Sequence, residues 1–583
     1  MSKSMSKAPL FTRGTNRLRE MIEVRLDRAF AFSHPTGWAA KAIDVLAPFL
    51  ARLTPNDKWS LPAHLPLWVE ALKVPPLPCR VPPKRIFIIS LYRGQFTLDL
   101  VLAILLAWRG HHITFGYLPR LQSPIKPPLR DHPSSKFYLA RTLMRMEGLS
   151  CGRIRCVDLS EEALTTPDVD GIGIDDNVKS DVVMFSRRET IDMADTETRE
   201  AWNYYKAQAL SARQLARSFF IKNKQSFDLC LVANGTTFEP AQFCHVAKEV
   251  GLPVNTFEKF AFRSVRILTH GDDIQSFKDL AKAWDRRFDL GYLEEGFLQF
   301  ATGRAYGLLQ ERRNASKATW AWTLQNSPQQ STDESLIAAG IGPEAPFVLV
   351  CPNVPYDAGY SGLLGIFPSM RDWLRRTVTT LLERTNLQVV VRAHPAEGAH
   401  WGGKESSAET LSHLLNHPRL IFIADNQKVN TYGLMERCKF GAVFSSTTGL
   451  EMAMMGKRVV VGASVYYAKR GFTTEADSLP AYDEMLIQLA SEERLESLSN
   501  EQRDGARLFH FLLHFIIQWP YPYDKPSDIR RLPPANLLKG DVAKYLPFLD
   551  ALTLTAEEWE TQMVDYLRPG VAHVPVNVQA SGR

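Results

Sequence analysis

The chain has 583 residues, and a single hydrophobic core stops growing at about 250 to 300 residues, so at least two domains are expected. A hydrophobic fraction of 45% with 23% charged residues is that of a folded globular protein and excludes a wholly disordered chain. With 69 basic against 63 acidic residues the net charge is only +6, and no basic stripe interleaves with aromatics, which argues against nucleic acid as a partner.

Residues 1–83 read as an N-terminal extension. It opens with basic residues (Lys3, Lys7, Arg13, Arg17, Arg19, Arg25, Arg28) suited to a helix that touches an anionic membrane face, although charge runs more often line a solvated helix. No apolar signal-peptide core follows the start, and the seven cysteines form no CxxC pair. The longest apolar runs, Leu98–Trp108 and Phe509–Trp519, reach eleven residues, against about 20 needed to span a bilayer. A cytoplasmic protein in a reducing compartment is therefore expected, with peripheral contact at the inner membrane face as the one membrane role the sequence suggests.

Five prolines between Val74 and Lys84 make an extended linker, after which the pattern changes. Arg85–Ser90 is a short β-branched run, Leu98–Gly110 a helix and His112–Pro119 a second strand, a βαβ unit that implies a parallel sheet. The grammar returns at Phe227–Gly235, a strand ending in a glycine turn, at Phe238–Gly251, a helix stopped by glycine, and at Leu252–Glu258, another strand. Between them Leu121–Leu210 has no readable order. "DGIGIDD" at 170–176 lacks the third glycine of a dinucleotide motif and reads as a turn. Residues 84–330 are expected to form a first Rossmann-like domain, with Ser327–Ser335 as the interdomain linker.

A second series fills residues 345–480. Apolar runs at Phe347–Asn353, Leu387–Pro395, Arg419–Asp425, Phe440–Ser446 and Arg458–Ala463 alternate with helices near Ser369–Arg384, Glu409–Leu415 and Gly449–Gly456, the pattern of a doubly wound domain. Residues 481–583 read as a helical C-terminal region without a motif.

Ligands of open α/β sheets sit beyond the carboxyl ends of the strands. In the second domain those ends carry Asn353, Arg392 and His394, Asp425, Ser445 to Thr448, and Gly462. Ser445, Ser446, Thr447 and Thr448 precede Gly449 at a helix start, where free N–H groups and hydroxyls favour an anion such as phosphate, and one cap needs only one hydroxyl. Glu451 in the first turns suits ribose hydroxyls, or simply the positive end of the helix. His394, its turn fixed by Pro395 and with Arg392 two residues earlier, suits a phosphate and the charge of a departing nucleotide. His413 with His417, and His510 with His514, have helical spacing but lack the glutamate of a zinc helix, so no metal is expected.

"VVVRAHPAEG" followed by "VFSSTTGLEMAMMGKRVVVGASVYYAKRGFT" resembles the C-terminal half of the bacterial capsule polysaccharide synthesis proteins, a family that includes Kdo transferases using CMP-Kdo. "GLEMAMMGKRVVV" is also similar to an element of wider GT-B glycosyltransferases. The likeness spans roughly 347–473, with a looser echo in "VANGTTFEPAQFCHVAKEVGLPVNTFE". It implies a GT-B-like α/β fold in which two Rossmann-like domains face a cleft. It further implies an inverting, metal-independent glycosyltransferase with a nucleotide sugar as substrate, no separate cofactor, and a polysaccharide or glycolipid acceptor. On this likeness His394 and the hydroxyls of Ser445, Ser446 and Thr447 hold the donor phosphate, with Arg392, Thr448 and Gly449 beside them and Glu451 facing the ribose. Asn353 departs from the family, which has a glutamine-bearing turn there. An inverting transfer needs a base from the first domain, for which Glu258, Glu239 and Asp99 stand at or just after strand ends, and Glu258 is preferred. A sugar-nucleotide 2-epimerase, a polyol-phosphate transferase and a non-catalytic capsule-assembly scaffold are the alternatives.

Overall fold

The computed structural model describes residues 79–118, 142–161, 173–259, 265–314, 330–354, 363–398, 403–523 and 545–570, save 92 and 149, with Val45, Trp68 and Tyr356 as single positions. The expected basic helix lies outside the described residues, as does the proline linker up to residue 78.

β1 (Arg85–Ser90) shows why the first sheet forms. Ile86 and Ile88 enter one core while Phe87 and Ile89 enter another, so the strand is covered on both faces, as parallel strands are. α1 (Arg93–Trp108) crosses to β2 (His112–Tyr117), which pairs parallel with β1 and with β3 (Ile154–Asp158). α2 (Ile174–Ser186) and the long α3 (Thr196–Asn223) lead back to β4 (Leu229–Ala233) on the other side of β1. α4 (Phe238–Glu249) joins β4 to β5 (Val254–Lys259), and β6 (Val265–His270) closes antiparallel on β5. The switch point thus lies between β1 and β4, the position that holds ligands in such sheets. α5 (Lys278–Asp285), α6 (Glu295–Arg313) and α7 (Thr332–Ala339) carry the chain to the second domain. The expected linker at 327–335 ends in α7, whose start Ser331 and Glu334 fix as a capping box.

β7 (Phe347–Cys351), α8 (Met370–Arg384), β8 (Gln388–Arg392), α9 (Ser407–Thr410), β9 (Leu420–Ile423), α10 (Thr431–Arg437), β10 (Phe440–Val443), α11 (Thr448–Met454), β11 (Val459–Val461) and β12 (Thr474–Glu475) follow. Their six-stranded sheet runs β12-β11-β10-β7-β8-β9 with every pairing parallel. This is a Rossmann-type order with its switch point between β7 and β10.

The region after 480 is helical, and the structure divides it between the two sheets. α12 (Leu479–Ser491) packs on α8, and α13 (Asn500–Phe511) packs on both α6 and α11. The chain then returns to the first domain. β13 (Trp519–Pro520) pairs with β6 and completes the seven-stranded order β13-β6-β5-β4-β1-β2-β3, while α14 (Leu546–Leu552) and α15 (Ala556–Leu567) cover the sheet. The return is tied by a buried pair, Arg109 to Asp550 at 2.6 Å, and by Asn255 Nδ2 donating to the carbonyls of Leu552 and Leu554 at 2.9 and 2.6 Å.

Two bridges hold the carboxyl edges of the sheets against each other. On one flank Phe277, at the start of α5, packs against Tyr466, just past β11, with ring centroids 4.6 Å apart, and Arg470 meets Asp285 at 3.3 Å. On the other, Glu189, in the turn after α2, accepts the N–H groups of Met370 (2.5 Å) and Arg371 (3.0 Å) at the start of α8. Glu405 in turn accepts the Glu189 N–H at 2.8 Å and pairs with Arg371 at 2.8 Å. The ends of β4 and β5 therefore face those of β7, β8 and β10 across a cleft.

Candidate functional site

The second-domain wall of the cleft is built from strand ends. Asn353, just past β7, donates from Nδ2 to Ser445 Oγ at 3.1 Å, and its Oδ1 accepts the Val354 N–H at 2.8 Å. This bond ties the ends of two adjacent parallel strands and fixes the Ser445 hydroxyl at the switch point. Ser446 is buried and works inward: its Oγ accepts from the Thr448 N–H (3.3 Å) and lies 2.9 Å from the Thr448 hydroxyl. Thr447 is the N-cap residue of α11, is exposed, and makes no side-chain cap. The four hydroxyls thus divide: Ser446 and Thr448 serve the turn, and Ser445 and Thr447 face outward.

Gly449 has a packing reason. A Cβ there would lie 2.5 Å from the Tyr467 hydroxyl and 2.7 Å from Val443 Cγ2. Tyr467 uses that hydroxyl to donate to the Ser446 carbonyl at 2.5 Å, so the glycine lets a buried phenol brace the serine turn from below.

His394 lies beyond β8. The Ala396 N–H donates to its Nδ1 at 3.1 Å, which makes Nδ1 the acceptor and leaves the proton on Nε2. Burial, and then the Arg392 charge, lower its pKa to about 4, so at neutral pH the ring is an uncharged Nε2–H donor. Arg392 is buried and turned away: Nη1 donates to the Ala424 carbonyl at 2.5 Å and Nη2 to that of Gln427 at 3.4 Å, pinning the loop after β9. Direct phosphate contact by Arg392, one of the expectations, does not fit that orientation; it supports the wall from behind.

Glu451 also departs from expectation. Its Oε1 receives Arg312 Nη1 of α6 at 2.5 Å and the Tyr432 hydroxyl of α10 at 3.3 Å, with only 4% of its side chain exposed. The carboxylate expected to face a ribose is instead half of a buried ion pair that joins α11 to α6. Low-dielectric burial makes such a carboxylate costly without its cation, which is why Arg312 accompanies it.

The first-domain wall carries Glu258 at the end of β5. Its Oε2 accepts from Asn234 Nδ2 at 2.7 Å across from the end of β4. Burial pushes the Glu258 carboxyl above the ordinary range, and the Asn234 bond and the Arg266 charge pull it only partly back. A carboxylate with raised proton affinity at a strand end is suited to take a proton. Glu239, in the first turn of α4, is also pushed up by burial. Asp99 is buried under β1 and accepts the Ser90 hydroxyl at 2.6 Å, which removes it from the cleft.

Among the described residues no group of three His, Cys, Asp or Glu is arranged to hold a metal ion. His510 and His514 lie with ring centroids 4.3 Å apart, tilted by 56°, in the interior, where burial keeps both neutral. No described helix is long and apolar enough to cross a membrane.

No family model and no curated protein matches the chain. Among solved structures, the β-Kdo 2,4 transferase of Thermosulfurimonas dismutans KpsC is similar at 16% identity over 50% of this chain and 80% of that one, with a TM-score of 0.34. The β-Kdo 2,7 transferase of the same protein follows at 14%, covering 56% and 90%, with a TM-score of 0.31. The UDP-GlcNAc 2-epimerase of Methanocaldococcus jannaschii matches at 9%, covering 74% and 99%, with a TM-score of 0.24. The two strand orders and the returning C-terminal helices give the chain a GT-B-like fold of two Rossmann-like domains.

Proposed function

We propose that the chain is an inverting, metal-independent glycosyltransferase that moves a sugar from a nucleotide-activated donor, CMP-Kdo-like, to a surface or capsular polysaccharide or glycolipid acceptor. Glu258 takes the proton of the acceptor hydroxyl as its oxygen bonds the anomeric carbon. The bond from that carbon to the nucleotide phosphate breaks, and its electron pair leaves on the phosphate oxygen. The His394 Nε2–H and the hydroxyls of Ser445 and Thr447 stabilise that charge. A glycolipid acceptor would be met at the cytoplasmic membrane face.

The observation that supports this reading best is the pairing across one cleft: a basic carboxylate on the first sheet, and a neutral imidazole donor with outward hydroxyls on the second. General-base removal costs about 10²- to 10⁴-fold in rate, so Glu258→Gln should abolish acceptor-dependent CMP release from CMP-Kdo while CMP affinity stays as in the unaltered protein. Normal turnover in that variant removes Glu258 from the mechanism.

A further inference from the structure

We infer that Asn234 is a positioning residue for Glu258, fixing the direction of its carboxylate and its affinity for a proton; this rests on the proposed role of Glu258. Asn234 sits at the end of β4 with φ 65, in the left-handed region that favours glycine. Its backbone is held there by its own N–H donating to the Phe257 carbonyl at 3.1 Å, and by its carbonyl accepting the Ile274 N–H at 3.2 Å. Glycine would fit this conformation without strain, so an asparagine needs a reason in its side chain.

The hydrogen bonds supply one. Oδ1 accepts the Thr236 N–H at 2.9 Å and the Thr236 hydroxyl at 2.5 Å, with the Thr237 hydroxyl at 3.4 Å. A backbone N–H can only donate, so the amide oxygen must face Thr236 and the amide nitrogen must face Glu258. The amide cannot flip without losing both ends, and the carboxylate therefore always meets a donor. That donor favours the ionised form and holds one oxygen in place, leaving Oε1 for an acceptor hydroxyl. The charged or titratable side chains on the elements around Glu258 are Arg266 and His270 on β6, Lys259 beside it on β5, Glu239, His245, Lys248 and Glu249 on α4, and Asp272 and Asp273 in the turn after β6. Of these, Arg266 acts directly on Glu258 and favours the same ionised form as Asn234.

The test uses the full chain, and its labelling arm needs no acceptor. Carbodiimide with glycine ethyl ester labels protonated carboxyls, and peptide mass spectrometry reads the labelling of Glu258 across pH 4 to 9. In Asn234→Gly, which keeps the left-handed backbone, the Glu258 midpoint should rise by about one pH unit, a tenfold gain in proton affinity. In Asn234→Asp, which sets a second carboxylate against it, the midpoint should rise further. The acid limb of CMP release from CMP-Kdo should move up by the same amount with KM unchanged, a readout that loss of folding stability alone would not produce. Unmoved midpoints in both variants, with native circular dichroism, would overturn the inference. Glu258→Gln with full turnover would instead remove the base, while the labelling shift would still decide whether Asn234 sets its proton affinity.

Discussion

Arg312→Met probes the second domain's interior most sharply. Arg312 and Glu451 meet at 2.5 Å with side chains 10% and 4% exposed, so the substitution leaves a buried carboxylate whose remaining partner is the Tyr432 hydroxyl. Removing one partner of a buried pair costs about 3 to 5 kcal/mol, and the surviving hydroxyl bond puts the expected loss near the lower figure. Adding Glu451→Gln removes the stranded charge, so the double variant should recover to within about 1 kcal/mol of the unaltered protein. Urea unfolding followed by tryptophan fluorescence and circular dichroism reads both. The same double variant, calorimetrically titrated with CMP, should bind as the unaltered protein does, because this carboxylate holds α11 to α6 and does not reach a ribose. A loss below 1 kcal/mol in Arg312→Met would refute the ion-pair account. A well-folded double variant that binds CMP tenfold more weakly would return Glu451 to the nucleotide.

His394 has a pKa lowered to about 4 and is neutral across the working range, so CMP affinity should be flat between pH 6.5 and 8. His394→Ala should weaken it about 10- to 100-fold, the worth of a hydrogen bond to a charged group; an affinity step near pH 6.5 that vanishes in the variant would contradict this. Glu189 carries the opposite dependence: burial raises its carboxyl from the ordinary 4.5 to about 7 where it caps α8. Its contribution to folded stability is complete below pH 4.5 and falls, by about 3 kcal/mol at most, as pH rises through 7. The stability difference between the unaltered protein and Glu189→Gln should therefore slope from pH 4.5 to 7 and level off above, and a flat difference would count against the buried cap. Gly449→Ala should cost about 1 to 3 kcal/mol by displacing Tyr467 from the Ser446 carbonyl, and should weaken CMP binding with it; unchanged stability on urea unfolding would show that the turn is not braced there.

The second sheet was readable because parallel strands buried on both faces are unbroken apolar runs, and Phe347–Cys351 and Val389–Val391 announce themselves. The candidate residues His394, Asn353 and Ser445 could be placed at the carboxyl edge of that sheet for the same reason, since they stand where those runs stop. α3 was not readable, because four of its eleven buried residues are alanine (Ala201, Ala209, Ala212 and Ala216) and three more, Thr198, Arg213 and Ser218, are polar, so no continuous stripe of large apolar residues marks the face. β6 was hidden by Arg266, Thr269 and His270, which are buried yet polar, Arg266 and His270 bonding to carbonyls elsewhere in the fold. The reading of Glu451 failed on a partner: Arg312 lies 139 positions away, and no local pattern reveals a tertiary ion pair. Glu189 and Met370, 181 apart, meet only because the domains do. The C-terminal return to the first sheet rests on two residues of β13 and on side-chain bonds to carbonyls, which leave no periodic trace.

Calorimetric titration of CMP into the unaltered protein, Glu258→Gln and the double variant Ser445→Ala/His394→Ala tests the central claim most directly. CMP should bind the first two alike and the double variant at least about 100-fold more weakly, the sum of two lost bonds to a charged phosphate. Equal binding to all three, or no binding of CMP to the unaltered protein, would contradict the assignment of the second-domain strand ends as the donor site.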